Sequence, residues 1–353
     1  MESPATSLTT LTLQPFAKLP GLRVLAWAGD ALYASRGYTL LSARPAVDPN
    51  QWDVVGKFQP AEWRKVTAKF RLSSRLVRDG FHALARTPAG DLVGAVPGAI
   101  VWLTQGDSQF RITHLVQRGT RPLNLAVTPD GTLYFGEYFS NRERTEVHIY
   151  ASSDRGATWQ VAHSFSKGSI RHVHNIVWDR WGECLWVLTG DVGDECKVLR
   201  VSPDFRNVET VLEGNQQARA VSLVAREDAI YFASDTPLEA NFIYRMERTG
   251  KLERVTAISS SVLYGCAVGN NLFFSTIVEP SQVNRSRKAT IYGSGNGREW
   301  SRVAAWQKDA WPMALQYGSA ILPSGENSTD VLAATGLAVR AHDDQALLWR
   351  VRR

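Results

Sequence analysis

The sequence predicts an all-β protein in which seven four-stranded blades close into a ring, the β-propeller architecture. Three observations support this class. Twelve Trp, ten Tyr and thirteen Phe are spread along the whole chain of 353 residues. No window keeps apolar residues at helical spacing for more than a turn or two, and short alternating runs separated by turn residues dominate instead. A frame of four such runs recurs every 40 to 50 residues or so, which is roughly the period of a propeller blade.

The recurring frame predicts where each blade lies. Its clearest copy is "PLNLAVTPDGTLYFGEYFSNRERTEVHIYASSDRGATWQVAHSF", from Pro122 to Phe165, in which "PDG" is a tight-turn signal between alternating runs. Taken in order, the copies predict blades at 22–58, 81–117, 122–165, 170–213, 218–258, 262–306 and 311–353. Together they predict a single propeller domain over residues 1–353.

The last copy supplies only three strands, "MALQYGSAIL", "DVLAATG" and "ALLWRVRR". The run "LTLQPFAKLP" at 11–20 is left over and would supply the fourth. Pairing the two ends of the chain removes the exposed edges that an open ring would leave. The segment 58–78 fits the frame least. It predicts an insertion between blades one and two, with a six-bladed ring as the alternative if the partition differs there.

Composition and charge restrict the classes of partner. The net charge is +6, but basic and acidic residues are interspersed, without the concentrated patch that nucleic acids or membranes require. No run approaches the roughly 18 apolar residues of a membrane span, and the N-terminus does not resemble a signal peptide. The three cysteines lack metal-type spacing. We expect a cytoplasmic protein that binds neither nucleic acid nor membrane, and oligomeric state is not predicted.

A local motif points to a known group of propellers. In "SSDRGATW", Ser152, Asp154, Gly156 and Thr158 precede Trp159 with the spacing of an Asp-box. Ser and Asp can bind the amides of a hairpin, Gly supplies positive φ, and Trp packs between blades. "SGNGREW", ending at Trp300, is a degenerate second copy.

On these motifs the chain resembles the Asp-box, or BNR-repeat, propellers. That superfamily includes sialidases, other glycan-active enzymes and non-catalytic propellers. The sequence "FGEYFSN", followed by "SSDRGATW", "RHVHN" and "TGD", also resembles bacterial and archaeal propellers described only as sialidase-like. The resemblance implies the fold and raises a glycan-directed activity. The arginine-containing "FRIP"-like motif of sialidases is absent, so the resemblance does not imply their catalytic site.

Polar residues concentrate at one set of positions in the frame. In a propeller, the first strand of each blade begins at the face onto which the loop after the second strand opens, and ligands bind there around the central channel. Reading these positions gives a predicted site. The predicted catalytic residues are Glu137, Tyr138, His172, His174 and Asp191, and the predicted substrate-binding residues are His82, Arg121, Asn141, Arg171, Arg219 and Asp235.

His172 and His174 are the most concentrated feature of this set. Two residues apart on a strand, they share one side, with Cα atoms about 6.5 to 7 Å apart. The pair can hold a single divalent metal with Glu137, or with Asp191 in its place, and zinc, manganese and iron all suit such ligands. The other interpretations are catalytic or ligand-binding imidazoles without a metal, and strand-start residues bonded to neighbouring loops.

Arg121, Arg171 and Arg219 occupy equivalent positions at the starts of three blades. They can clamp a carboxylate or sulfate, or they can pair with nearby acids to hold blades together.

Two functional hypotheses follow. The first is an enzyme acting on an anionic carbohydrate or glycoconjugate. As a hydrolase it would use Glu137 and Asp191. As a lyase it would use His172 or His174 as the base and Tyr138 as the acid, with Arg121 or Arg171 on the substrate carboxylate. The second is a non-catalytic propeller that binds a ligand or protein partner through the same face.

Overall fold

The computed structural model describes residues 11–352, which form a ring of seven sheets and confirm the seven-bladed propeller. No helix in this range is long and apolar enough to cross a membrane. The strands are β1 Thr12–Pro20, β2 Arg23–Gly29, β3 Ala31–Arg36, β4 Thr39–Ala43, β5 Asp53–Lys57, β6 Ala83–Arg86, β7 Leu92–Val96, β8 Ala99–Leu103, β9 Arg111–Leu115, β10 Ala126–Val127, β11 Leu133–Gly136, β12 Val147–Ser152, β13 Gln160–Phe165, β14 Val173–Asp179, β15 Cys184–Thr189, β16 Lys197–Val201, β17 Val208–Glu213, β18 Ala220–Ala225, β19 Ala229–Ser234, β20 Asn241–Glu247, β21 Leu252–Ile258, β22 Val262–Val268, β23 Asn271–Thr276, β24 Lys288–Ser294, β25 Ser301–Gln307, β26 Ser319–Ile321, β27 Ser324–Asn327, β28 Val331–Leu337 and β29 Gln345–Arg352. The helices are α1 Glu62–Thr67 and α2 Arg71–Val77, with 3-10 turns at Gly193–Glu195 and Met313–Leu315.

Each blade has four antiparallel strands, which in blades one to six are consecutive in the chain and run from the channel outward. Blades one to six are β2–β5, β6–β9, β10–β13, β14–β17, β18–β21 and β22–β25. Blade seven consists of β26, β28, β29 and β1. In each blade the first strand therefore begins at the same face of the ring, which brings the strand starts together around one channel mouth.

The two ends of the described chain close the ring. β1 pairs antiparallel with β29, from Thr12 opposite Arg352 to Pro20 opposite Gln345, with one register shift between Pro15 and Ala17. This confirms the predicted pairing of the N-terminal strand with the C-terminal blade. A second connection crosses the same seam, because the hydroxyl of Thr335 in blade seven accepts a hydrogen bond of 2.9 Å from the Val24 amide in blade one.

The hydrophobic core lies between blades. Seven main clusters of buried apolar side chains each join two neighbouring blades, including the pair formed by blades seven and one. In that last cluster Val24, Leu32, Val331 and Leu348 are each 0% exposed. Because a sheet must bury its apolar faces against another layer, each blade depends on both of its neighbours.

Strand β27 is an element that the repeat does not predict. It leaves blade seven and pairs parallel with the end of β2, the innermost strand of blade one, from Ala26 to Gly29. Gly325 makes this approach possible. Its φ is +82°, and a side chain there would collide with the carbonyl oxygen of Trp27.

The predicted insertion after blade one is the pair of short helices α1 and α2. The Nη1 and Nε atoms of Arg75 donate hydrogen bonds of 2.6 Å to Asp309 and 2.7 Å to the carbonyl of Leu315. Arg71 forms two hydrogen bonds of 2.7 and 2.8 Å with Asp343. These contacts fasten the helices to loops of blade seven and to the connection that precedes it, on the face where the strand starts meet.

The interblade packing predicts a large difference between two leucine truncations. Leu348→Ala opens a cavity in the cluster between blades seven and one, so we expect the free energy of unfolding to fall by about 2 to 5 kcal/mol. The matched control is Leu115→Ala on the outer strand β9, where the leucine is 57% exposed. We expect this change to cost less than about 0.5 kcal/mol. Chemical denaturation measures both, and equal losses would contradict the assignment of the core.

Candidate functional site

The candidate site lies at the channel mouth, where blades three, four and five meet. His172 precedes β14, and His174 is the second residue of that strand. Asp191 follows β15, Arg219 precedes β18, and Asp235 follows β19. These are strand starts and the loops after second strands. They converge because every blade begins at the same face.

The two histidine rings face each other. Their Nε2 atoms are 3.0 Å apart, and Asp191 Oδ1 lies 3.6 Å from that of His172 and 3.5 Å from that of His174. The opposite nitrogens face backbone carbonyls on the two flanking blades. His172 Nδ1 is 2.9 Å from the oxygen of Phe139, and His174 Nδ1 is 2.9 Å from that of Ala220. Residues of three blades therefore fix the orientation of both rings.

Asp191 and Asp235 share one guanidinium. Arg219 Nη2 lies 3.2 Å from Asp191 Oδ1 and 3.3 Å from Asp235 Oδ2. Burial raises the pKa of Asp235 to about 8 against the charge of Arg219, with Glu279 and Asp191 adding to the increase. Burial would also raise the pKa of Asp191, but His172, His174 and Arg219 hold it well below its usual range. At neutral pH, one carboxyl is therefore protonated and the other ionised.

The electrostatics also favour neutral forms of two neighbouring groups. Burial lowers the pKa of His174, with Asp191 opposing the decrease and His172 adding to it. The ring of Tyr138 lies against His172, with centroids 4.5 Å apart. Burial raises the pKa of Tyr138, and Asp191 and Asp235 raise it further. The phenol is thus a proton donor rather than an anion at neutral pH.

The other side of the mouth is cationic. Burial lowers the pKa of Arg121 to about 9, and the nearby charges of Arg23 and Arg78 contribute to the decrease. Burial holds the pKa of His82 well below its usual range, and the charges of Arg121 and Arg23 lower it further. Within residues 11–352, neither Arg23 nor Arg121 forms an ion pair, and their buried Nε atoms have no hydrogen-bond partner. This group of Arg23, Arg78, Arg121 and His82 is called the arginine cluster below.

Glu137, which the sequence predicts as a catalytic residue and a metal ligand, lies outside the histidine group and beside Arg118. Its carboxylate forms two ion-pair contacts with the guanidinium of Arg118, and Oε2 accepts a hydrogen bond of 2.8 Å from the His148 amide. Within the described part of the chain, the potential metal-binding group is His172, His174 and Asp191. The third member of this group is thus Asp191, which the sequence predicts as the alternative to Glu137.

Asn141 and Arg171 lie near the mouth but are engaged locally. The Asn141 amide donates to the carbonyls of Thr145 and Arg171 at 2.9 and 3.0 Å, and its oxygen accepts from Thr145. Arg171 lies between Glu195, at 3.3 Å, and Asp191, at 3.9 Å. Of the three predicted arginines, Arg171 and Arg219 hold loops and blades together, whereas Arg121 does not.

The structure adds four residues to the predicted set. Arg23, Arg78 and Tyr264 influence the pKa of Arg121, and Glu279 influences that of Asp235. Arg23 is the first residue of the first strand of blade one. Its place is similar to those of Arg121, Arg171 and Arg219, which precede the first strands of their own blades. The shared position was therefore readable in the sequence, although blade one has few polar residues elsewhere. Glu279 also accepts a hydrogen bond of 2.7 Å from Ser261.

Comparisons with known proteins establish the fold alone. No model of a known protein family matches the chain, and no curated protein sequence matches it. Among solved structures, it is similar to a catalytically inactive virginiamycin B lyase of Staphylococcus aureus crystallised with quinupristin, at 11% identity and a TM-score of 0.60, over 97% of this chain and 99% of that one. It is also similar to the WD40 propeller domain of Doa1, at 13% identity and a TM-score of 0.59, over 96% and 97%. A third similar structure is the GH74 enzyme of Niastella koreensis, at 16% identity and a TM-score of 0.54, over 82% of this chain and 46% of that one. These propellers include enzymes and a WD40 domain.

The pKa of Asp235 predicts a pH effect on stability. Because its folded-state pKa is about 8, above the ordinary 3.8, the folded protein keeps a proton that the unfolded chain releases between these values. The resulting stability is complete below about pH 4 and declines until about pH 8. Asp235→Asn is neutral throughout. The melting temperature of this variant minus that of the wild type should therefore rise by a few degrees between pH 5 and 9.

Thermal melts across this range test the prediction. Asp53→Asn, at an exposed position of β5, is the control, and its difference from the wild type should stay constant. A constant difference for Asp235→Asn as well would show that the buried carboxyl does not hold its proton.

Proposed function

We propose that the protein is an enzyme acting on an anionic carbohydrate or glycoconjugate at the channel mouth, by elimination next to a carboxylate. The observation that carries the proposal is the arginine cluster. Buried polar groups are normally paired, and buried guanidiniums without an acid are costly. Within residues 11–352, Arg23 and Arg121 form no ion pair, although Asp344 is close enough to influence the pKa of Arg23, whereas Arg219 pairs with two acids. A ligand carboxylate would complete what the chain itself leaves unpaired.

The chemistry of guanidinium supports a carboxylated ligand. Its planar set of donors matches a carboxylate in two parallel hydrogen bonds. In a uronic acid, neutralising the carboxylate also acidifies the adjacent carbon, because the charge that develops there spreads onto the carboxylate oxygens. Binding by Arg23 and Arg121 would therefore promote proton removal.

Two neutral groups near Arg121 can carry the proton transfers. His82 Nε2 donates to the carbonyl of Arg78 at 2.6 Å, so the lone pair of the neutral ring is on Nδ1, which is buried and has no partner among the described residues. We assign the base to His82 and the acid to Tyr138. The base takes the proton α to the carboxylate, and the freed electron pair forms a C=C bond. The β C–O bond then breaks, and its oxygen takes the proton of the acid.

The other roles suggested by the sequence fit the geometry less well. Hydrolysis by Glu137 and Asp191 would need one of the two carboxyl groups to donate a proton. Each of them is instead paired with an arginine, Glu137 with Arg118 and Asp191 with Arg219. His172 and His174 direct their Nε2 atoms at each other and at Asp191 rather than outward. Neither arrangement leaves a free catalytic group.

The motif at Ser152 supports a relation to Asp-box propellers. Asp154 accepts hydrogen bonds from the Thr158 amide at 2.9 Å and from its hydroxyl at 2.6 Å, and Ser152 Oγ accepts from the Gly156 amide at 2.9 Å. The Trp159 ring packs edge-on against Phe135 at 4.9 Å. This turn lies away from the mouth, so it supports the family relation and the glycan-directed hypothesis only indirectly.

A non-catalytic propeller is the second candidate. The mutual pairing of Arg219, Asp191 and Asp235 favours it, because such a network needs no substrate to be satisfied. A protein of this kind would bind an anionic ligand through the arginine cluster without turning it over.

Replacing Arg121 separates a functional role from a structural one. Arg121→Gln removes an unpaired charge, so we expect the melting temperature to stay level or rise by about one to a few degrees. Affinity for acidic oligosaccharides should fall about 10- to 100-fold, the equivalent of one charge-assisted hydrogen bond. A panel of uronate oligomers, followed by calorimetry and by the ultraviolet absorbance of unsaturated products, gives both readings. Arg111→Ala, at an exposed arginine of β9, is the control.

A second variant separates binding from chemistry. His82→Gln should retain binding and lose at least about 100-fold in elimination rate. Binding without turnover in the wild type would favour the non-catalytic candidate. A stability loss in Arg121→Gln, together with no acidic ligand in the panel, would overturn the proposal.

A further inference from the structure

The hydrogen bonds of His172 and His174 determine where their lone pairs point. Each Nδ1 is 2.9 Å from a backbone carbonyl oxygen, which can only accept. Both Nδ1 atoms therefore carry hydrogen, and in the neutral rings both Nε2 atoms present a lone pair. These two nitrogens are 3.0 Å apart.

Asp191 supplies a third electron-pair donor at the same point. Its Oδ1 is 3.6 Å from one Nε2 and 3.5 Å from the other. When both rings are neutral, three acceptors converge with no hydrogen between them, and the arrangement is repulsive unless a proton or a metal cation lies among them. Burial makes this repulsion stronger, since His172 and His174 are only 6% and 3% exposed.

We propose that His172, His174 and Asp191 bind one divalent transition-metal ion. With metal–nitrogen and metal–oxygen bonds of about 2.0 to 2.2 Å, neighbouring ligand atoms lie about 2.8 to 3.6 Å apart at octahedral to tetrahedral angles. The observed separations of 3.0, 3.5 and 3.6 Å fit that range closely. Two imidazoles and one carboxylate favour zinc and its first-row neighbours over magnesium or calcium, which prefer oxygen ligands.

The surroundings have the features of a supported metal site. Each imidazole donates its other N–H to a carbonyl, which fixes the tautomer and orients the ligating nitrogen. Arg219 lies 3.2 Å from the same carboxylate oxygen and can hold it in place through its second lone pair. The side chain of Asp191 is 22% exposed, whereas those of His172 and His174 are 7% and 2% exposed. The site therefore opens to solvent, and to further ligands, on the aspartate side.

This inference is independent of the proposed function, because it uses different residues and a different test. The full-length protein is stripped with a chelator, incubated with Zn²⁺ or Co²⁺ and dialysed, and its metal content is measured by mass spectrometry. We expect one equivalent of bound metal ion per chain. With Co²⁺ we also expect visible absorption bands of a nitrogen- and oxygen-ligated ion, and with Zn²⁺ a higher melting temperature.

Two variants and a control localise the ion. His174→Gln and Asp191→Asn should each weaken metal binding at least about 100-fold, since each removes a direct ligand. The asparagine variant keeps the shape of the side chain and guards against a folding defect. His148→Ala, at a histidine bonded to Ser164 on the outer part of blade three, should bind metal as the wild type does.

Two results would overturn the inference. The first is stoichiometric metal retained in both ligand variants, which would place the ion elsewhere. The second is no retained metal together with a ¹⁵N NMR signature of a proton on Nε2 of one ring, which would show that a proton bridges the pair. Loss of uronate binding in Arg121→Gln leaves the metal inference untouched, and loss of metal in Asp191→Asn leaves the arginine cluster intact.

Discussion

The pairing of β1 with β29 is the contact on which the rest of the molecule depends. It joins Thr12 to Arg352, so the ring closes only when the two ends of the described chain meet. Each of the seven main hydrophobic clusters lies between neighbouring blades, and an open ring would leave two of its faces uncovered. Closure also fixes the blade starts in a circle. The functional face is thus a consequence of how the core is buried.

The mouth of that circle is divided electrostatically. On the side of blades four and five, Arg219 forms ion pairs with both Asp191 and Asp235. On the side of blades one to three, Arg23 and Arg121 form no ion pair within residues 11–352, and their buried Nε atoms have no hydrogen-bond partner there. The ion pairs of Arg219 hold the side chains of blades four and five in place. Arg23 and Arg121 remain able to bind an anion. A ligand that spans the mouth would be held by the charges of the arginine cluster at one end. At its other end it would contact the preorganised side chains of blades four and five.

Local rules made the fold predictable. Alternating runs, turn residues and the incomplete last repeat depend on neighbours in sequence, so blade number and ring closure followed from them. The same rules did not predict which of Glu137 and Tyr138 faces the channel mouth. These adjacent residues directly follow β11, which ends at Gly136, and neighbouring side chains of an extended chain point to opposite sides. Tyr138 faces the histidines and Glu137 faces Arg118. Helices α1 and α2 carry no repeat signal, and α2 is anchored by long-range contacts such as that of Arg75 with Asp309.

The composition of β1 has a consequence for synthesis of the protein. In the described chain β1 precedes every other strand and β29 follows them, so β1 is translated before its partner and before the six complete blades between them. An unpaired strand edge can recruit other chains. Pro15 and Pro20 lack amide hydrogens, and Lys18 adds a charge, so "TLQPFAKLP" is a poor template for foreign pairing. These same residues protect the nascent chain from aggregation until β29 has been translated and can pair with β1.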